Sequence, residues 1–122
     1  MPSSATGLTV TIIANIKDFD ALQAVVTEMV ATAADKDPGT QAYSFSVDEE
    51  RKTLFVYERY VNVAAFGAHA ANMGPFADRY FGAVDVTSAA VHMPAGAALP
   101  PEIKQSLDAF GTKYMTFIGS LA

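Results

Sequence analysis

The chain has 122 residues, 51% of them hydrophobic and 17% charged, with a formal net charge of -5 and no cysteine. That length makes one domain, the acidic balance argues against nucleic acid and anionic membrane surfaces, and the missing cysteines exclude disulfides, thiolate metal sites and a cysteine nucleophile. So much apolar surface exceeds what a small monomer hides, so part of it is expected in a subunit interface or a pocket. Residues 1–7 lack a basic or apolar leader region and read as a disordered lead-in; with no bilayer-length apolar run, the expected location is the cytoplasm.

Leu8 to Lys17 alternates as a strand, with Leu8, Val10, Ile12, Ala14 and Ile16 on one face and a mixed face opposite. Asp18 or Asp20 then caps a helix whose stripe is Phe19, Leu22, Val26, Met29, Val30 and Ala33. Asp37-Pro38-Gly39 stops it and makes a turn. Thr40 to Val47 is a second strand, the charged run Asp48 to Lys52 a hairpin loop, and Thr53 to Val61 a third strand, apolar on both faces. Asn62 caps a helix from Val63 to about Asn72, which carries His69. Gly74-Pro75 breaks it and starts a short helix, Phe76 to Phe81. Ala83 to Met93 is a fourth strand, with Val84, Val86, Ser88, Ala90 and His92 against Asp85, Thr87, Ala89, Val91 and Met93. Leu99-Pro100-Pro101 opens a further helix with Ile103, Leu107 and Phe110 as its stripe, and Lys113 to Ile118 makes a short last strand.

The first six elements give the order of a split βαβ unit: an α+β, ferredoxin-like sandwich over residues 8–94, with a helix-strand extension over 95–122. Helices cover one face of such a sheet. The other face also carries apolar side chains, so a homodimer through the sheet face is expected, and the last strand is available to pair along a partner's exposed edge.

The pattern Asp37-Pro38-Gly39 before Tyr43, then Phe55-Val56-Tyr57-Glu58-Arg59-Tyr60, then Ala64-Ala65-Phe66 and His69, resembles the antibiotic biosynthesis monooxygenase family over about Leu8 to Met93. The resemblance implies a dimeric α/β barrel and relatives of quinol monooxygenase type, on a fold that hosts several chemistries. Haem-degrading members resemble the chain at Asn15 and His69 but also use a tryptophan, and this sequence has none.

His69 is the leading candidate catalytic residue: either a general base or hydrogen-bond partner for a phenolic oxygen at a pocket edge, or a helix histidine satisfying a nearby carbonyl. Asn15 is the second, either orienting a substrate oxygen or dioxygen, or tying down the following loop. Tyr57, Phe66, Met73 and Tyr80 are the candidate walls of a pocket for a flat aromatic ligand. Glu58 reads as a buried carboxylate needing a partner, with Arg79 or Lys17 available, or as a catalytic acid. Two histidines without a pair motif give no metal site, and no phosphate loop, flavin or nicotinamide pattern is present, so no cofactor is expected.

The reading that follows is a cofactor-independent monooxygenase acting on a small electron-rich aromatic, a hydroquinone or polyketide phenol. The alternative is a non-catalytic dimeric small-molecule-binding or stress-associated module, in which neither His69 nor Asn15 points into a pocket.

Overall fold

A computed structural model describes residues 7–120. The lead-in expected at residues 1–7 therefore lies, but for Gly7, outside the described residues. Five strands, β1 (Leu8–Ile16), β2 (Thr40–Val47), β3 (Thr53–Tyr60), β4 (Val84–Met93) and β5 (Lys113–Thr116), form one sheet in the order β2-β3-β1-β4-β5. The first four pair antiparallel in the split βαβ order expected from the sequence. Four helices accompany them: α1 (Phe19–Lys36), α2 (Val63–Met73), α3 (Ala77–Ala83) and α4 (Pro101–Asp108).

Local chemistry sets the helix ends. Asp18 is the N-cap of α1, its side chain accepting from Ala21 N at 3.0 Å, and Asn62 caps α2 by accepting from Ala65 N at 2.8 Å. The buried stripe of α1 is Leu22, Val25, Met29 and Ala33. Val25, outside the expected stripe, is fully buried, its neighbour Val26 is only partly buried and Val30 turns outward, because packing on the sheet selects which of the adjacent valines faces the core. Phe19 is held instead by the β2–β3 hairpin, where the Arg51 guanidinium lies 4.5 Å from its ring centre.

Two apolar clusters fill the space between sheet and helices. One joins Leu22, Val25 and Met29 to Leu54, Val56, Tyr80 and Val84; the other joins Leu8, Val10, Tyr60, Phe66 and Val91. Leu99, Ile103, Leu107 and Tyr114 of the extension pack on the second cluster. Each fully buried leucine or valine contributes roughly 1.5–3 kcal/mol.

In β4 the structure departs from simple alternation. The pairing with β1 runs Ile13 to Ser88 and then Ala14 to Val86, so Thr87 is an extra residue and a β-bulge. Its hydroxyl donates to Ile13 O at 3.1 Å. The bulge switches the inward set from Val84 and Val86 to Ala89 and Val91, and turns His92 outward, where its Nε2 lies 3.1 Å from Thr11 Oγ1. The sequence reading had put His92 on the face of Val84; one inserted residue reverses the parity. The last strand also finds its partner within the chain: β5 lies parallel to β4, Ala90 to Met93 opposite Lys113 to Thr116.

Candidate active site

His69 reaches its place by helix spacing. It sits on the face of α2 shared with Phe66, and both are buried, His69 at 4% exposure. Its Nδ1 lies 2.6 Å from Asp37 Oδ2, and Asn72 on the same helix face donates to the other oxygen of that carboxylate. Asp37 ends α1, accepting no side-chain role from the helix itself, while its backbone N–H bonds to Ala33 O. With Nδ1–H donating to the carboxylate, Nε2 keeps its lone pair and points toward Glu58.

Glu58 comes from the middle of β3, on the same face as Val56 and Tyr60, and is 7% exposed. Its Oε1 accepts from the Tyr60 hydroxyl at 2.5 Å and lies 4.0 Å from His69 Nε2. The cations expected to pair with it are engaged elsewhere: Arg79 donates twice to Glu28, and Lys17 pairs with Asp85 at 3.4 Å. Burial in apolar surroundings pushes the Glu58 carboxyl up to about 7, against the opposing pull of the Tyr60 hydroxyl. Burial also lowers the His69 imidazole, with the Asp37 hydrogen bond and charge working the other way. Burial raises the hydroxyls of Tyr43, Tyr60 and Tyr80, helped by the nearby Glu58 charge, so all three stay neutral.

These groups border a cavity of about 270 Å³ between helices and sheet, which takes lining from both apolar clusters. Val10, Ile12, Tyr43 and Phe45 form the sheet side, and Met29, Phe66, Met73 and Tyr80 the helix side. Leu107, Phe110 and Thr112 of the extension complete the rim, with Phe110 stacked on Phe81 at 5.1 Å between ring centres. Tyr43 stands edge-on to the His69 ring at 4.5 Å and donates to Met73 Sδ at 3.4 Å. The site is therefore an apolar chamber with a carboxyl group and an oriented imidazole in its wall, a setting for moving protons away from water.

Of the candidate residues, His69, Phe66, Met73 and Tyr80 are brought together around this cavity. Asn15 and Tyr57 are not. Asn15 is exposed near the end of β1, opposite Thr53 and Asp85, and Tyr57 faces the other side of the sheet, one residue out of phase with Glu58. Asp37 and the rim from the extension were missed, and Glu58, weighed as a catalytic acid, meets His69 rather than the expected Arg79 or Lys17. A signal for Asp37 existed: an acidic residue at the C-terminal end of a helix opposes the helix dipole and needs another reason to be there. His69 and Asn72, three residues apart, were a second, since that spacing aims both at one partner.

Among the described residues no group of three or more His, Asp or Glu side chains is arranged to hold a metal ion, and no helix is long and apolar enough to cross a membrane.

The described residues form a small α+β domain with the ferredoxin-like fold expected from the sequence. No protein-family profile matches the chain, and no curated protein matches it in sequence. Among solved structures it is similar to MupZ from Pseudomonas fluorescens, with 14% identity and a TM-score of 0.80 over 96% of this chain and 94% of that one. SnoaB, a cofactor-independent oxygenase from Streptomyces nogalater, is 16% identical with a TM-score of 0.63, over 79% of this chain and 99% of its own. A candidate antibiotic biosynthesis monooxygenase from Chloroflexus aurantiacus is 14% identical with a TM-score of 0.61, over 76% and 97%. At these identities the likeness establishes the fold.

Proposed function

We propose that this protein is a cofactor-independent monooxygenase acting on a small electron-rich aromatic, a hydroquinone or polyketide phenol. The observation that carries the reading is His69: a buried imidazole lining an apolar cavity, with Nδ1 tied to Asp37 and Nε2 4.0 Å from Glu58. A module that only binds has no need to bury a carboxylate in order to hold one histidine in one tautomer. SnoaB shares the fold, which makes oxygenase chemistry a natural use of such a chamber.

In this reading His69 Nε2 takes the phenolic proton, and the resulting anion reduces dioxygen. Carbon and oxygen then join as a hydroperoxide, and loss of water leaves a quinone. Across the sequence a ring C–H becomes C=O, one dioxygen is consumed and one water is released. The chamber's contribution is to strip water from the anion and keep it facing the base.

The reading includes a homodimer paired through the outer sheet face. Ile13, Phe55 and Met115 support it: all three lie there at 42%, 42% and 47% exposure, too much apolar surface for a small acidic domain to leave wet. A light-scattering mass of one chain at micromolar concentration would remove the dimer. For the chemistry, oxygen uptake is followed with a panel of dihydroquinones and phenols. His69→Ala is expected to lose about 10²-fold or more of the wild-type rate. Equal uptake by both proteins would take His69 out of the mechanism, and saturable binding without uptake by wild type would favour the non-catalytic alternative.

A further inference from the structure

We propose that Glu58 is the proton donor at the water-forming step, acting on the oxygen that leaves the substrate hydroperoxide while His69 acts on its carbon side. The proposal rests on the oxygenase reading above and assigns a second catalytic residue within it.

The geometry carries it. Glu58 and His69 enter the same cavity from the sheet and from α2, and Oε1 and Nε2 stand 4.0 Å apart. That is too long for a direct hydrogen bond and short enough for a proton to pass through one intervening group. Tyr60 occupies one carboxyl oxygen, Oε1, as a donor, so a proton on Glu58 resides on the other. Among the described residues the two cations expected to pair with the carboxyl are bound elsewhere, Lys17 to Asp85 and Arg79 to Glu28, and burial favours its acid form.

The step balances. His69, protonated by the phenol, returns that proton to the peroxide anion formed on the ring carbon. It then removes the remaining hydrogen on that carbon as a proton. The C–H electron pair becomes the second bond of C=O, the O–O bond breaks, and the distal oxygen departs with the O–O pair. Glu58 protonates this hydroxide to water. The imidazolium then passes its proton through an intervening group to the other oxygen of Glu58, and both groups return to their starting states. In this step the ring carbon loses two electrons and the O–O bond gains them, so that overall phenol plus dioxygen gives quinone plus water.

The test is Glu58→Gln, which keeps the side chain's shape and an acceptor for Tyr60 but has no proton to give. Quinone release is expected to fall about 10²-fold relative to oxygen uptake, and a substrate hydroperoxide accumulates, read by mass and by ferrous-ion oxidation. Quinone release at the wild-type rate overturns the proposal and leaves the oxygenase reading standing. Equal loss of uptake and quinone also overturns it, by placing Glu58 before dioxygen. No uptake by wild type removes the oxygenase reading, and the proposal with it.

Tyr60→Phe provides a second arm that does not depend on the fold of the glutamine variant. The groups facing Glu58 are Tyr60 on its own strand, Tyr43 on β2, His69 on α2 with Asp37 behind it, and Tyr80 on α3. Removing the Tyr60 hydroxyl withdraws the hydrogen bond that stabilises the carboxylate. The alkaline limb of quinone release is then expected to move to higher pH, with the limb for oxygen uptake unchanged. An unmoved limb for quinone release overturns the assignment.

Discussion

Replacing Glu58 by glutamine removes a titrating group that the fold holds in an apolar wall, and its effect on stability follows from the position of that group. In an unfolded chain the carboxyl has its ordinary value of 4.5, and in the folded protein it is pushed up to about 7. A carboxyl raised on folding binds more protons in the native than in the unfolded state over that interval, so stability falls as pH rises through it. At about 1.4 kcal/mol per pH unit the rise is a penalty of roughly 3 kcal/mol above pH 7, most of which develops between pH 5 and pH 8. Glutamine carries no such penalty. Urea unfolding followed by far-ultraviolet circular dichroism at the two pH values measures it, and comparing the change in each protein cancels the pH-independent cost of the substitution. The imidazole of His69, lowered on folding, adds stability as pH rises toward 6.5, and that contribution is common to both proteins. The glutamine variant is thus expected to gain on wild type by roughly 2–3 kcal/mol over this window. Parallel pH dependences in the two proteins would refute the claim that the Glu58 charge is desolvated.

Two further substitutions address how His69 is held. Asp37→Asn is expected to lower kcat in the quinone-forming assay by roughly 10²–10⁴-fold with little change in KM, because the imidazole loses the acceptor that fixes its tautomer. Nitrogen NMR of the His69 ring checks the cause directly: a single Nδ1–H tautomer in wild type, and a mixture in the variant. Gly39→Ala would set a Cβ 2.5 Å from the Ala65 Cβ and 3.3 Å from Val61 Cγ2, and both neighbours are anchored at the start of α2. Pushing that helix back is expected to cost about 1–3 kcal/mol in urea unfolding and to weaken the Asp37–His69 contact. Wild-type stability in this variant would mean that the turn and helix are not in fixed contact.

The sequence by itself determined the element order and most of the boundaries. Alternation in Leu8 to Ile16, the run of β-branched and aromatic residues from Leu54 to Tyr60, the caps at Asp18 and Asn62, and the breaks at Pro38-Gly39 and Gly74-Pro75 are local events, decided within a few residues by sterics and hydrogen bonding. Phe66, His69 and Met73 were legible as one group for the same reason, since helix spacing puts them on neighbouring turns of α2, and Tyr80 follows on the next helix. Only the tertiary structure decided the rest. The bulge at Thr87 reversed the faces of β4 because two strands had to match in register, and neither strand encodes that alone. Asp37 and His69 are 32 positions apart and come from different elements, and Glu58 joins them from the sheet. Which acid meets which base depends on how α2 packs across β3. Packing is a sum over the whole core, and no local pattern carries it.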